Sequence, residues 1–246
     1  MKKCLFCGSS KEISREHIFP EWLLGELGLN EEEVTMNHVT ILGMTKSRRS
    51  HIFKSLVNAM ICEKCNTGWM SKLETSVKDL IIRLMNLDSV NEDLFKSLND
   101  NYKILAKWSF KTAIVLNYPT NYRKIVPENH FQSLYHSKIP EGVYINMAFT
   151  ENEEPLHWHQ SQTLLWFFHT KKEEQKIFSR SKEIYKITLQ FKHLLLRVCY
   201  FPFKNFVQDD RVESSIVLWP EFGRYENFRI YKDIDEFDSK ASFREI

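Results

Sequence analysis

Glycine and proline are scarce, seven of each in 246 residues, and neither a low-complexity tract nor a block of like charge interrupts the chain. A long disordered segment is therefore not expected. No apolar run approaches the roughly 18 residues of a membrane-spanning helix, the nearest being Leu164 to His169. The first residues, Met1 to Cys7, carry two lysines but lack the apolar stretch of roughly 7 to 15 residues that a secretory signal needs. A cytoplasmic protein without a membrane partner is the expectation. Net charge is small as well: 34 Lys and Arg against 32 Asp and Glu give +2, so bulk charge points to no polyanion. No internal repeat is visible. What the chain does contain is 43% hydrophobic residues, enough for a substantial core, and five cysteines.

Four of those cysteines form two Cys-x-x-Cys hooks, Cys4/Cys7 and Cys62/Cys65. A hook of this spacing lets two sulfurs approach one ion from a single tight turn, and four thiolates are the ligand set of a closed tetrahedral zinc site. In a reducing compartment metal ligation is favoured over disulfides. Cys199 is the odd thiol, set in an apolar run and expected to be buried. One local basic run, Lys46, Arg48, Arg49, His51 and Lys54, with Lys2 and Lys3 as additional cations, is the candidate nucleic-acid contact; its plainer reading is a solvated hairpin tip.

Hydrophobic patterning predicts an α+β protein in two parts, residues 1–90 and 91–246. In the first, Pro20 to Leu27 reads as a short helix stopped by Gly28, and residues 34–60 as β-structure turning near Lys46 to Ser50. A long helix follows the second hook, with Trp69, Leu73, Val77, Leu80, Ile81 and Leu84 at helical spacing. In the second part a helix is predicted over 101–116, ending before Pro119, and a shorter one after Pro127. Strand-like runs cover 143–149, 163–168, 185–191, 194–201 and 215–219, implying an antiparallel sheet backed by helices. The pair His157 and His159 would share one face of a strand without a visible third ligand, and reads as surface. Trp158, Trp219, Tyr225 and Phe228 read as packing residues rather than base-stacking platforms.

Between the hooks lies Ser14-Arg15-Glu16-His17-Ile18-Phe19-Pro20, a strand-like run carrying an acid–imidazole dyad, and Asn66 follows the last hook cysteine directly. This arrangement resembles the HNH, or ββα-metal, nuclease family, in the subgroup whose core is clamped by four cysteines. The run Cys62-Glu63-Lys64-Cys65-Asn66-Thr67-Gly68-Trp69-Met70-Ser71 is similar to a Cys-Asn-x-Gly-Trp-Met-Ser segment of bacterial HNH proteins. The resemblance covers residues 1–80, with a weaker likeness at Trp108 to Ala113. It implies a zinc-stabilised ββα-metal, treble-clef-like unit at the N-terminus.

By resemblance, Glu16 matches the acidic ligand of a catalytic Mg²⁺ or Mn²⁺, usually Asp in the family. His17 matches the general base that activates water, and Asn66 the second protein ligand of the ion. The middle Asn, which steadies the base, has its nearest counterpart in Asn58, with Val57 at the expected place. Glu74, just over two helical turns beyond Asn66, either approaches the site or pairs with a cation such as Arg15. The implied activity is hydrolysis of DNA phosphodiesters to 5′-phosphate and 3′-hydroxyl ends, with structural Zn²⁺. The alternative is a non-catalytic zinc-dependent module for nucleic-acid binding or protein interaction. A third reading, compatible with the first, is an effector of a phage-defence or mobile-element system whose activity is held off until a regulatory partner or signal arrives; residues 91–246 would position substrate, set a homo-oligomeric state or receive that signal.

Overall fold

The computed structural model describes residues 2–39, 44–120, 124–162, 183–209, 214–223 and 228–246. It is a mixed α+β structure with antiparallel sheets. The run at 163–168 and Tyr225 lie outside the described residues.

Strand β1 (Ile13–His17) pairs antiparallel with β4 (Val57–Cys62), and an irregularity in the register falls between Ser14 and Glu16. Helix α1 (Glu21–Leu27) begins after Pro20, whose fixed φ suits a helix start, and ends at Gly28 with φ 70°. It buries Leu23, Leu24 and Leu27, while Trp22 is only half-buried.

Between α1 and β4 stands a two-stranded ribbon of β2 (Glu33–Val39) and β3 (Thr45–Ile52). Its register corrects one expectation: Lys46 to Ser50 are not a turn but lie within β3, Ser47 to Ser50 paired with residues 35–38 of β2 and Lys46 at an irregularity in the register. Charge and polarity suggested a loop, yet a two-stranded ribbon with an open face is free to carry polar side chains.

The predicted helix after the second hook is also modified. A single helical turn, α2 (Glu63–Cys65), leads into a π-helical stretch over Asn66–Met70, and the regular helix α3 (Ser71–Leu84) begins only afterwards. Gly68, at φ −89° and ψ −106°, departs from helical geometry and breaks the run. The buried face of α3 is the expected one, Val77, Leu80, Ile81 and Leu84.

Helix α4 (Glu92–Thr120) spans 29 residues, starting well before the predicted Asn101 and running through Pro119. Pro119 lies in the last turn, where only one intrahelical bond is forfeited; the Thr120 hydroxyl donates to the Leu116 carbonyl nearby. Nor is α4 amphipathic throughout: from Leu105 to Asn117 every residue except Lys107 is buried, as in a helix enclosed by other elements. It packs against α3, against β4 and against the main sheet.

Helix α5 (Glu128–Tyr135) follows Pro127 as predicted. The main sheet has the order β10 (Ile216–Trp219), β5 (Val143–Thr150), β8 (Leu194–Tyr200), β7 (Tyr185–Phe191), β6 (Leu156–Ser161), all antiparallel, with β11 (Ile230–Tyr231) added parallel to β5. Helix α6 (Ile234–Ser239) lies against β6, β7 and β8, and β12 (Phe243–Glu245) pairs with β9 (Phe206–Gln208). One apolar cluster runs from Cys4 to Leu218 through α3, α4 and the sheet. Among the described residues no helix is long and apolar enough to cross a membrane.

Candidate metal centre and a buried charge cluster

The first hook is a tight knuckle: the Gly8 amide donates to the Cys4 carbonyl at 2.9 Å, and Gly8 takes φ 73°. The Leu5 amide donates to the Met60 carbonyl at 2.9 Å, which docks this knuckle beside the end of β4, where Cys62 closes the strand and Cys65 ends α2. Phe6 is clamped between Trp69 and Phe131, with ring centroids 5.1 and 5.4 Å away. All four sulfurs therefore lie within 4.8 Å of one another, Cys7 Sγ and Cys62 Sγ at 3.5 Å. A tetrahedral zinc with Zn–S bonds of about 2.3 Å would place its sulfurs about 3.8 Å apart, well within that range.

The acid–base chemistry of the four thiols fits an ion as well. Burial pushes the Cys62 and Cys65 thiols up, Cys65 further because of charge on Cys4. Burial acts on Cys4 too, but hydrogen bonds from the backbone at Cys7, Cys62 and Phe6 more than offset it, so its thiol titrates low. Four clustered sulfurs of which one favours the thiolate gain from a soft divalent cation that ionises the rest. They could hold a metal ion such as zinc, and among the described residues no other group of three or more His, Cys, Asp or Glu side chains converges in this way.

Next to this knot, β1 turns the two members of the dyad differently. Glu16 is 6% exposed and His17 half-buried, as alternation along a strand requires. Glu16 Oε1 lies 3.3 Å from Lys111 Nζ, and the same ammonium lies 2.5 Å from Glu74 Oε1. Lys111, on α4, is fully buried. Burial would strip its proton, but the carboxylates of Glu74 and Glu16 outweigh that and hold it charged. The Glu16 carboxyl is pushed up by burial and by Glu74, and only partly held down by Lys111. With all three ionised, the cluster carries one net negative charge.

Glu74 thus approaches the site, and its cation is Lys111 rather than the exposed Arg15. Asn58 sits across the ladder from Glu16, and Val57 across from His17. The Asn58 Oδ1 accepts the Met60 amide at 3.0 Å, while its Nδ2 and the His17 Nδ1 are buried without a hydrogen-bond partner among the described residues. Asn66 opens the π-helical stretch, half-buried, and no hydrogen bond among the described residues ties it to Glu16 or His17. Of the expected trio, Asn66 adjoins Cys65, Glu16 and His17 lie on the strand paired with the one that ends at Cys62, and among the described residues only Glu16 is wired into a polar cluster.

Lys111 is the member that sequence reasoning did not single out. Its one signal was a lysine inside the apolar run Trp108 to Leu116, which a helix buried on all sides must neutralise.

Of the basic run, Lys46, Arg48, Arg49 and His51 are exposed on β3. Lys54 lies on the turn after β3, exposed, and pairs with Glu31. His157 and His159 share a face of β6, with ring centroids 4.9 Å apart. Each has its own carboxylate, Glu154 at 3.1 Å and Asp235 at 3.5 Å, contributed by the loop before β6 and by α6. Trp158 packs on Phe19 and Phe53, Phe228 on Phe95 and Phe149, and Cys199 is buried.

No protein-family model, no curated protein and no solved structure matches the chain.

Proposed function

We propose that the chain is a metal-dependent endonuclease of the HNH type that hydrolyses phosphodiester bonds in DNA. The reading is carried by one arrangement: β1 carries, at successive positions, a buried carboxylate and a half-buried imidazole whose Nδ1 has no hydrogen-bond partner among the described residues, on the strand paired to the one that delivers Cys62. A buried ring nitrogen without a partner is costly in a resting protein and useful in one that must take up a proton.

In this reading the neutral His17 ring accepts the proton of the water that attacks phosphorus. Glu16, one net negative charge shared with Glu74 and Lys111, and the Asn66 amide form the side to which a divalent cation is drawn; few protein ligands suffice for an ion that keeps its waters. When bound, Mg²⁺ or Mn²⁺ supplies charge neutralisation at the leaving 3′ oxygen. Lys111 keeps the Glu16 carboxylate ionised and oriented despite its burial. The four cysteines hold the β1–β4 pair and the start of the helix together, and their closed ligand set leaves no position for water.

One observation favours a second reading. Lys111 already serves as counter-ion to Glu16, so a protein that lost the chemistry and kept the zinc knot as a binding module would need no further cation. The test is cleavage of supercoiled plasmid by purified protein with Mg²⁺ or Mn²⁺, beside His17→Ala. Cation-dependent cutting that vanishes in His17→Ala is the expected result. A folded, zinc-loaded protein that cuts nothing turns the reading toward the binding module or an enzyme held off until a partner arrives.

A further inference from the structure

The ribbon of β2 and β3 has two unlike faces. Met36 is 8% exposed and Val34 and His38 are half-buried, so the face bearing them rests on the body of the protein. Alternation then turns Thr35 and Asn37 outward, and the antiparallel register sets Ser50 opposite Thr35 and Arg48 opposite Asn37 on that outer face. All four are exposed, and the Thr35 and Ser50 hydroxyls lie 3.1 Å apart. Lys46, exposed two residues before Arg48, falls at the irregularity in the register between His38 and Val39 and adds a second cation at that end of the ribbon.

The chemistry of this face is specific. A guanidinium beside a carboxamide offers donors for guanine O6 and N7 and a donor–acceptor pair for adenine N6 and N7. The two strands carry a single carboxylate, Glu33, at the start of β2 and opposite Ile52 at the end of β3. Charge is therefore complementary to a polyanion along most of the ribbon. Two strands about 4.8 Å apart, with their side chains, fit a B-form major groove about 12 Å wide. The ribbon strands contain no Phe, Tyr or Trp, which argues against single strands bound by stacking. Duplex RNA is disfavoured because its major groove is too deep and narrow to read.

We propose that the outer face of the β2–β3 ribbon enters the major groove of duplex DNA and reads base edges there, with Arg48 and Asn37 as the reading pair and Lys46 as a phosphate contact. The inference rests on DNA being the substrate.

The experiment uses the full-length, zinc-loaded protein carrying His17→Ala, so that bound DNA survives. Selection from a random duplex pool is followed by affinity measurements over a salt series, with Arg48→Ala, Asn37→Ala and Lys46→Ala introduced singly. The first two are expected to lose roughly 5- to 150-fold of discrimination at one base pair each. Lys46→Ala should weaken all duplexes alike and reduce the salt slope by about one. Unchanged selection and affinity in all three variants overturn the ribbon proposal, as does equal affinity for single-stranded DNA, duplex RNA or anionic vesicles.

Plasmid cleavage with His17 restored separates this from the nuclease reading. Ribbon-dependent binding by a protein that never cuts refutes the nuclease and keeps the ribbon. Cutting that is indifferent to all three ribbon substitutions, in rate and in position, does the reverse.

Discussion

Lys111→Met removes the ammonium at the centre of the buried cluster while roughly keeping its volume. Two carboxylates then share a site with no cation, Glu16 at 7% side-chain exposure and Glu74 at 17%. Removing one partner of a buried ion pair costs about 3–5 kcal/mol, because a buried charge is left uncompensated. The cost depends on pH. In the folded protein Glu16 already titrates above its ordinary 4.5 because of burial, and loss of Lys111 raises it further. A carboxyl whose folded pKa is raised binds its proton more tightly in the native state, so its contribution is retained below the unfolded value and lost as pH rises through the folded one. Lys111 itself titrates above 10.5 in the fold, so the wild-type cluster keeps its cation throughout the neutral range. The variant should therefore trail wild type by about 3–5 kcal/mol near pH 8 and by much less near pH 5. Urea unfolding followed by tryptophan fluorescence, with wild type beside it at each pH to cancel zinc release, measures this. A deficit under about 1 kcal/mol at pH 8, or one equal at both pH values, refutes the buried-cation argument. The triple variant Lys111→Met, Glu16→Gln, Glu74→Gln should recover most of the loss, since neutral replacement of a buried ionic group is often tolerated.

Cys65→Ser should lose its bound metal by elemental analysis and unfold at far lower denaturant, since a structural zinc supplies about 10 kcal/mol or more. His17→Ala should retain metal content and unfolding midpoint while losing cleavage, and an unfolded His17→Ala protein would contradict its placement outside the packed core. His130, buried against Tyr185 with its Nδ1 2.9 Å from the hydroxyl, titrates at about 4 because of burial. Its folded pKa lies below its ordinary 6.5, so the stability present above 6.5 is lost as pH falls towards 4, in total about 3 kcal/mol at about 1.4 kcal/mol per unit. NMR should show the His130 ring still neutral at pH 5.5, and a midpoint near 6.5 would defeat the prediction.

The readability of this chain from sequence follows the range of the interactions. The cysteine hooks, α1 between Pro20 and Gly28, the apolar face of α3 and the strands at 185–191 and 194–200 are set by local spacing, and local spacing is what a sequence displays. The extent of α4 is not legible in this way, because Glu92 to Asp100 is polar on most faces and Pro119 looks like a stop, whereas the helix is held by burial on all sides further along. The basic run reads as a turn because the strand it forms needs Thr35 to His38 opposite it to be recognised. Beyond its place in an apolar run, Lys111 is not legible as a site residue for the same reason: its two partners lie on β1 and α3, far from it in sequence.

The distance along the chain between Glu16 and Lys111, 95 residues, also sets an order in time. A ribosome making about 5–20 residues per second delivers the dyad and both hooks several seconds before α4 is complete. Throughout that interval the two acidic side chains have no internal counter-ion, and closing so long a loop must wait for the apolar flanks of α4 to dock. The buried charge cluster therefore becomes ordered later than the metal knot during synthesis, and a nascent or truncated product ending before α4 would present the metal knot without it.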